Sequence, residues 1–250
     1  MTDKEKQLVM NFEHLGEDGI AMGLIDAFSS PSIQNTPLVD VLLNATTKAM
    51  EQRRNSRADR LLKMAKLHNT SANIDGIEYY PERNLDKLTI DRLSTCDYIK
   101  DHFNICVIGA SGTGKSYISK ALAYRACQCG YRTKVVSYPA LMRELTHLYL
   151  HNTPKFEKKL RYYSRIPLLV IDEWLSQQPE KQWTSILLEL MENRYDATST
   201  IICTQLPIEN WPKVIGNVAL GQAILGRVTA ASYILRLEGQ DLRSRHSEKP

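Results

Sequence analysis

The chain has 250 residues, 43% hydrophobic and 24% charged, enough to bury a full core in one large or two small domains. Its longest apolar run near the middle, Ile166 to Ile171, is far too short to span a bilayer, and the opening MTDKEKQ lacks a signal-peptide pattern, so a cytoplasmic protein with no membrane partner is expected. A net charge of +4 is too mild to argue for nucleic acid by itself, and five cysteines, odd in number and without metal-site spacing, read as reduced thiols rather than disulfides or a zinc site.

Leu15 to Phe28 offers a short apolar helix. Thr36-Pro37 is a helix start, and no Gly or Pro follows until Gly76, so one long helix is predicted from Pro37 to His68. Its first half carries an apolar stripe (Leu38, Leu42, Ala45, Ala49), whereas Lys48 to Lys66 holds seven basic residues against Glu51 and Asp59. These elements make a helical N-terminal domain over 1–68, and Gly76 and Pro81 mark 69–83 as a linker. From 84 to 250 strands and helices alternate, which predicts an α/β domain with a parallel sheet covered on both faces. The predicted strands are Phe103–Ile108, Lys134–Tyr138, Leu168–Ile171, Thr200–Cys203 and Ile234–Leu237. The predicted helices are Gly114–Cys129, Ala140–Leu150, the basic Pro154–Arg165 and Glu180–Tyr195.

Gly109-Ala110-Ser111-Gly112-Thr113-Gly114-Lys115-Ser116 matches G-x-x-x-x-G-K-[ST] between a predicted strand and helix, the context of a phosphate-binding loop. Its backbone N–H groups and the following helix N-terminus suit a β-phosphate, Lys115 bridges β and γ oxygens, and Ser116 ligates Mg²⁺. ATP or GTP is therefore the expected ligand, with Tyr117 adjoining the loop. Leu168-Leu169-Val170-Ile171-Asp172-Glu173 is an apolar strand ending in two acids. Asp172 suits Mg²⁺, and Glu173 suits polarising an attacking water, which points to hydrolysis rather than transfer to a second substrate. The fourth strand should lie beside the first and bring either Thr204 or Gln205 near the γ-phosphate. Two late arginines, Arg227 and Arg243, are candidates for stabilising charge there, although exposed arginines are more often simply solvated.

The ordered set of the phosphate loop, Leu-Leu-Val-Ile-Asp-Glu, Glu192-Asn193-Arg194-Tyr195, Ser199 to Pro207, Trp211, Ala223-Ile224-Leu225-Gly226-Arg227 and Gly239-Gln240-Asp241-Leu242-Arg243 resembles the IstB family. These are AAA+ helper ATPases of bacterial insertion sequences, related to DnaC-type helicase loaders. The resemblance, over residues 35–246, implies a three-layer AAA+ P-loop fold and an ATP-dependent homo-oligomer with nucleotide at subunit interfaces. It also implies duplex DNA and an IstA-like transposase as partners, Arg227 as an arginine finger and Arg243 as the second sensor arginine. The chain departs from the family pattern at Thr204-Gln205, where Ser-Asn is usual and Gln205 becomes the expected sensor, and at Gly226, where Asp is usual. Only eleven residues follow Gly239, so no helical lid is expected. Two basic segments are candidate DNA contacts: Lys48 to Lys66, and Lys155 to Arg165 with Tyr162 and Tyr163 interleaved. A helicase loader is the alternative function; a small-molecule kinase is disfavoured by Glu173 and the late arginines.

Overall fold

The computed structural model describes residues 1–31 and 33–242. The chain forms two compact units, Met1–Arg60 and a second one that starts at Leu61, so the division falls within the long helix rather than at the end of it.

The first unit holds α1 (Asp3–His14), α2 (Asp18–Ser29) and most of α3 (Leu38–Ala65). Apolar patterning predicts no element before Leu15, yet α1 carries a start signal in Thr2-x-x-Glu5. The Thr2 hydroxyl accepts the Glu5 N–H, and the Glu5 carboxylate accepts the Thr2 N–H at 2.6 Å, a reciprocal capping box. Helix α2 approaches α3 closely through small residues, and a Cβ on Gly23 would stand 2.6 Å from the Cα of Ala45. Val9, Ala21, Leu24, Val41 and Ala45 form the buried core of this unit.

The second unit is built on a five-stranded, all-parallel sheet in the order β2-β3-β4-β1-β5. The strands are β1 (Asn104–Gly109), β2 (Thr133–Ser137), β3 (Leu168–Asp172), β4 (Ser199–Thr204) and β5 (Ser232–Leu237). β4 pairs with β1 as expected, with Ile105 opposite Ile201 and Ile108 opposite Thr204. Alternate residues of each central strand enter two separate cores. Ile105, Val107, Val170 and Ile201 pack with α6 (Lys115–Gln128) on one face. Cys106, Ile108, Ile171 and Ile202 pack on the other with α7 (Tyr138–His151), α8 (Thr153–Arg165), α9 (Lys181–Arg194) and α11 (Val218–Thr229). Burial of both faces is why these strands read as unbroken apolar runs. Three short helices, α4 (Lys87–Ser94), α5 (Asp97–Lys100) and α10 (Trp211–Ile215), complete the unit. The sequence pattern does not predict these three or α11. All five cysteines are unpaired, and burial pushes the thiols of Cys106 and Cys203 up to about 12, so both stay protonated.

Candidate nucleotide site

The carboxyl ends of β1, β3 and β4 open into one cavity of about 920 Å³. Ligands of open parallel sheets bind at this edge, beyond the strand ends.

The phosphate loop forms its floor. Gly112 and Gly114 hold φ of +79° and +88°, a region that L side chains rarely adopt. Close packing adds a second constraint, because a Cβ on Gly112 would meet Asp241 Oδ1 at 2.0 Å and one on Gly114 would meet Arg83 Nη2 at 2.3 Å. Thr113 is buried and its hydroxyl donates to the Ala110 carbonyl at 3.0 Å. Lys115 opens α6, with its Nζ donating to the Ala110 carbonyl at 2.6 Å, and Ser116 and Tyr117 follow it on the cavity wall. Ser111, Gly112, Gly114, Lys115 and Ser116 line the cavity, whereas Gly109, Ala110 and Thr113 do not. The loop leads into a helix N-terminus, whose N–H groups and dipole favour an anion.

The acid pair lines the same cavity. Asp172 ends β3, with Oδ1 accepting the Glu173 N–H at 2.9 Å. Glu173 is exposed and left-handed at φ +57°, and Leu175 repeats that conformation at +52°. Two non-glycine residues in this region on either side of one residue are costly, and such strain persists only where the surroundings impose it. The surroundings here are the ties of Trp174 to the neighbouring strand. Its N–H donates to the Cys203 carbonyl at 2.8 Å, and its own carbonyl takes the Thr204 hydroxyl at 2.9 Å. The Trp174 ring lies buried with Tyr138 and Trp211, each centroid 5.5 Å away.

These bonds distinguish the two candidates at the end of β4. The Thr204 hydroxyl donates to Trp174 and accepts the Leu206 N–H at 3.0 Å, so it is committed within the protein. Gln205 is exposed on the cavity wall.

Arg227 does not line this cavity. It lies half-buried on α11, donating to the Ala223 carbonyl at 2.9 Å and ion-paired with Glu192. Arg243, with the chain that follows it, lies outside the described residues.

The basic segments need correction in detail. Tyr163 is buried, its hydroxyl donating to Glu144 at 2.6 Å, because Phe156, Leu160 and Tyr163 form the inward stripe of α8; it is not an exposed ring interleaved with the charges. Lys159 pairs with the same carboxylate at 2.7 Å, leaving Lys155, Lys158, Arg161 and Arg165 on the exposed side. In α3, Lys48 pairs with Asp26 at 2.5 Å and Arg53 pairs with Glu17.

Sequence reasoning missed part of the wall. Ser71, Gly76, Glu78 and Arg83, from the stretch read as a linker, line the cavity, and Ala72 and Ile77 anchor that stretch in the core. The alternation of polar and apolar residues from Ser71 to Asp75 is the available signal, and Gly76 and Pro81 mask it as a turn region.

The profile of the IstB-like ATP binding protein family matches residues 22–250. The chain belongs to that family. A putative insertion sequence ATP-binding protein of Sinorhizobium fredii is 33% identical over 75% of this chain and 76% of its own length. The putative ATP-binding protein of insertion sequence IS232 from Bacillus thuringiensis is 24% identical over 97% of this chain and 96% of its own. Among solved structures, the DnaC helicase loader is similar with a TM-score of 0.59 at 20% identity, covering 67% of this chain and 97% of that one. The replication initiator DnaA bound to AMPPCP and single-stranded DNA gives 0.56 at 15% identity, covering 69% of this chain and 51% of that one. Likeness at those identities establishes the AAA+ P-loop fold. This IstB-like chain is thus an ATP-binding AAA+ ATPase of the insertion-sequence type. Among the described residues no helix is long and apolar enough to cross a membrane.

Proposed function

We propose that this ATPase assembles on duplex DNA as a homo-oligomer, with each nucleotide site completed by the next subunit, and that the assembly assists an IstA-like transposase. One observation carries the reading: Lys115, Ser116, Asp172, Glu173 and Gln205 line one cavity, whereas Arg227 lies off it on α11. A finger that misses its own site has a use when a second subunit presents it.

In this reading Lys115 holds the β and γ oxygens, and the N–H groups of the loop and the α6 N-terminus cradle the β-phosphate. The Ser116 hydroxyl and the Asp172 carboxylate are hard oxygen donors suited to Mg²⁺, which neutralises phosphate charge when bound with ATP. Glu173 accepts the proton of the attacking water, and Gln205 orients that water. The neighbour's Arg227 and the chain's own Arg243 meet the charge that develops on the γ-phosphate. Exposed basic residues of α3 and α8 follow DNA phosphates, a contact that carries no sequence information.

The insertion-sequence relatives favour a transposition helper over a DnaC-like helicase loader. The test is capture: with ATP, the Glu173→Gln variant should be retained on duplex DNA and should hold an IstA-like transposase there. Retention of a replicative helicase with weak duplex binding would replace this reading by the loader.

A further inference from the structure

Arg83 is 4% exposed, lies outside every motif of the family pattern and is central to how the phosphate loop is held. Its Nη2 donates to the Thr113 carbonyl at 3.1 Å, and its Nη1 donates to the Glu78 carbonyl. Its Nε is buried with no hydrogen-bond partner among the described residues. The backbone of the same residue accepts the Glu238 N–H at 3.1 Å, just after β5. One residue thereby joins the segment before the sheet, the phosphate loop and the end of the last strand. Burial lowers the guanidinium pKa from its usual value, so the position costs free energy that some function or packing must offset.

The geometry points to Arg83 as a positioning residue of the nucleotide site, one that presets the Gly114 N–H for a β-phosphate oxygen. The chain has no cis peptide among the described residues, so the Thr113 C=O and the Gly114 N–H point to opposite sides of one planar unit. Anchoring that carbonyl on Arg83 turns the N–H the other way. The absent Cβ of Gly114 is what lets the guanidinium reach so near. A loop of three glycines has many alternative conformations, and fixing one of its peptide planes before the ligand arrives reduces the ordering cost of binding. Arginine suits the task because its planar fork serves two carbonyls at once, whereas a lysine ammonium reaches either as a single point charge.

The test measures ADP affinity and Tm of the full chain carrying Arg83→Met or Arg83→Lys. Leu145→Ala is the control, a cavity in the core on the other sheet face that lowers Tm without touching the loop. Arg83→Met should weaken ADP binding on the order of tenfold or more, Arg83→Lys by a smaller factor, and Leu145→Ala by less than about twofold. ADP affinity within about twofold of the parent in Arg83→Met, or a loss matched by Leu145→Ala at equal Tm, would overturn the proposal by making Arg83 a packing residue only. Should Arg83→Met fail to fold, Arg83→Lys is judged alone: weaker ADP binding upholds the proposal, and parental affinity overturns it.

Discussion

The helical unit and the ATPase unit differ in what they bury. In the ATPase unit two apolar cores cover both faces of the sheet, and its buried cations are fixed by backbone carbonyls: Arg83 by those of Glu78 and Thr113, and Arg194 by those of Tyr163, Ile166 and Ser199. The Thr200 hydroxyl takes the Arg194 Nε at 2.9 Å, and with no carboxylate acting on that guanidinium, burial alone takes its pKa down to about 9. The helical unit buries no lysine or arginine among its described residues; Lys48 and Arg53 pair on its surface, and its small core leaves Val39, Leu43 and Met50 exposed on α3. The contrast separates a rigid site, whose geometry must not drift, from a small unit held by close helix contact around few core residues.

The largest effect that tests this division is Lys115→Ala, which should weaken ATP binding on the order of 10²-fold or more while leaving the helical unit folded. Calorimetry with ATP and circular dichroism read the two parts separately. Next comes Glu173→Gln, which should keep ATP affinity and lower turnover on the order of 10²-fold. Near-normal turnover would remove Glu173 from the chemistry. A bulky residue at the helix contact should do the reverse of both: Gly23→Val drives a side chain into the Ala45 backbone and should cost the helical unit about 1–3 kcal/mol or more, with ADP affinity unchanged. Loss of ADP binding in that variant would show that the units are not separable.

The smallest effect concerns DNA. If exposed α3 cations follow phosphates, affinity should fall steeply with salt, and changing Arg54, Arg60 and Lys63 to Gln should flatten the log–log slope by roughly 0.9 for each phosphate no longer neutralised. Arg53 is the weaker choice for this test because it already pairs with Glu17. An unchanged slope would shift the DNA interface to Lys155, Lys158, Arg161 and Arg165.

What could be read from the sequence was local. The phosphate loop and the β3 acids are contiguous, and a strand buried on both faces announces itself as an apolar run, so Lys115, Asp172 and Glu173 were legible together with the parallel sheet. Features that depend on distant partners were not. Arg83 meets a carbonyl thirty residues away, and the commitment of Thr204 rests on Trp174, again thirty residues off. The left-handed turn at Glu173 leaves no trace in composition, because it is imposed by bonds to β4. Tyr163 is a different failure, since the Phe156, Leu160, Tyr163 spacing was visible and assigns that ring to the core.

Completion of the site by a neighbouring subunit is the central claim, and mixing two inactive variants tests it most directly. In the proposed roles, Arg227→Ala keeps the water-activating Glu173 carboxylate and lacks the finger, whereas Glu173→Gln keeps the finger and lacks that carboxylate. In co-assemblies, the junctions that pair the intact site of the first with the intact finger of the second should recover ATPase activity, rising and falling with the mixing ratio. No recovery at any ratio, with mixed assembly demonstrated independently, would contradict the account.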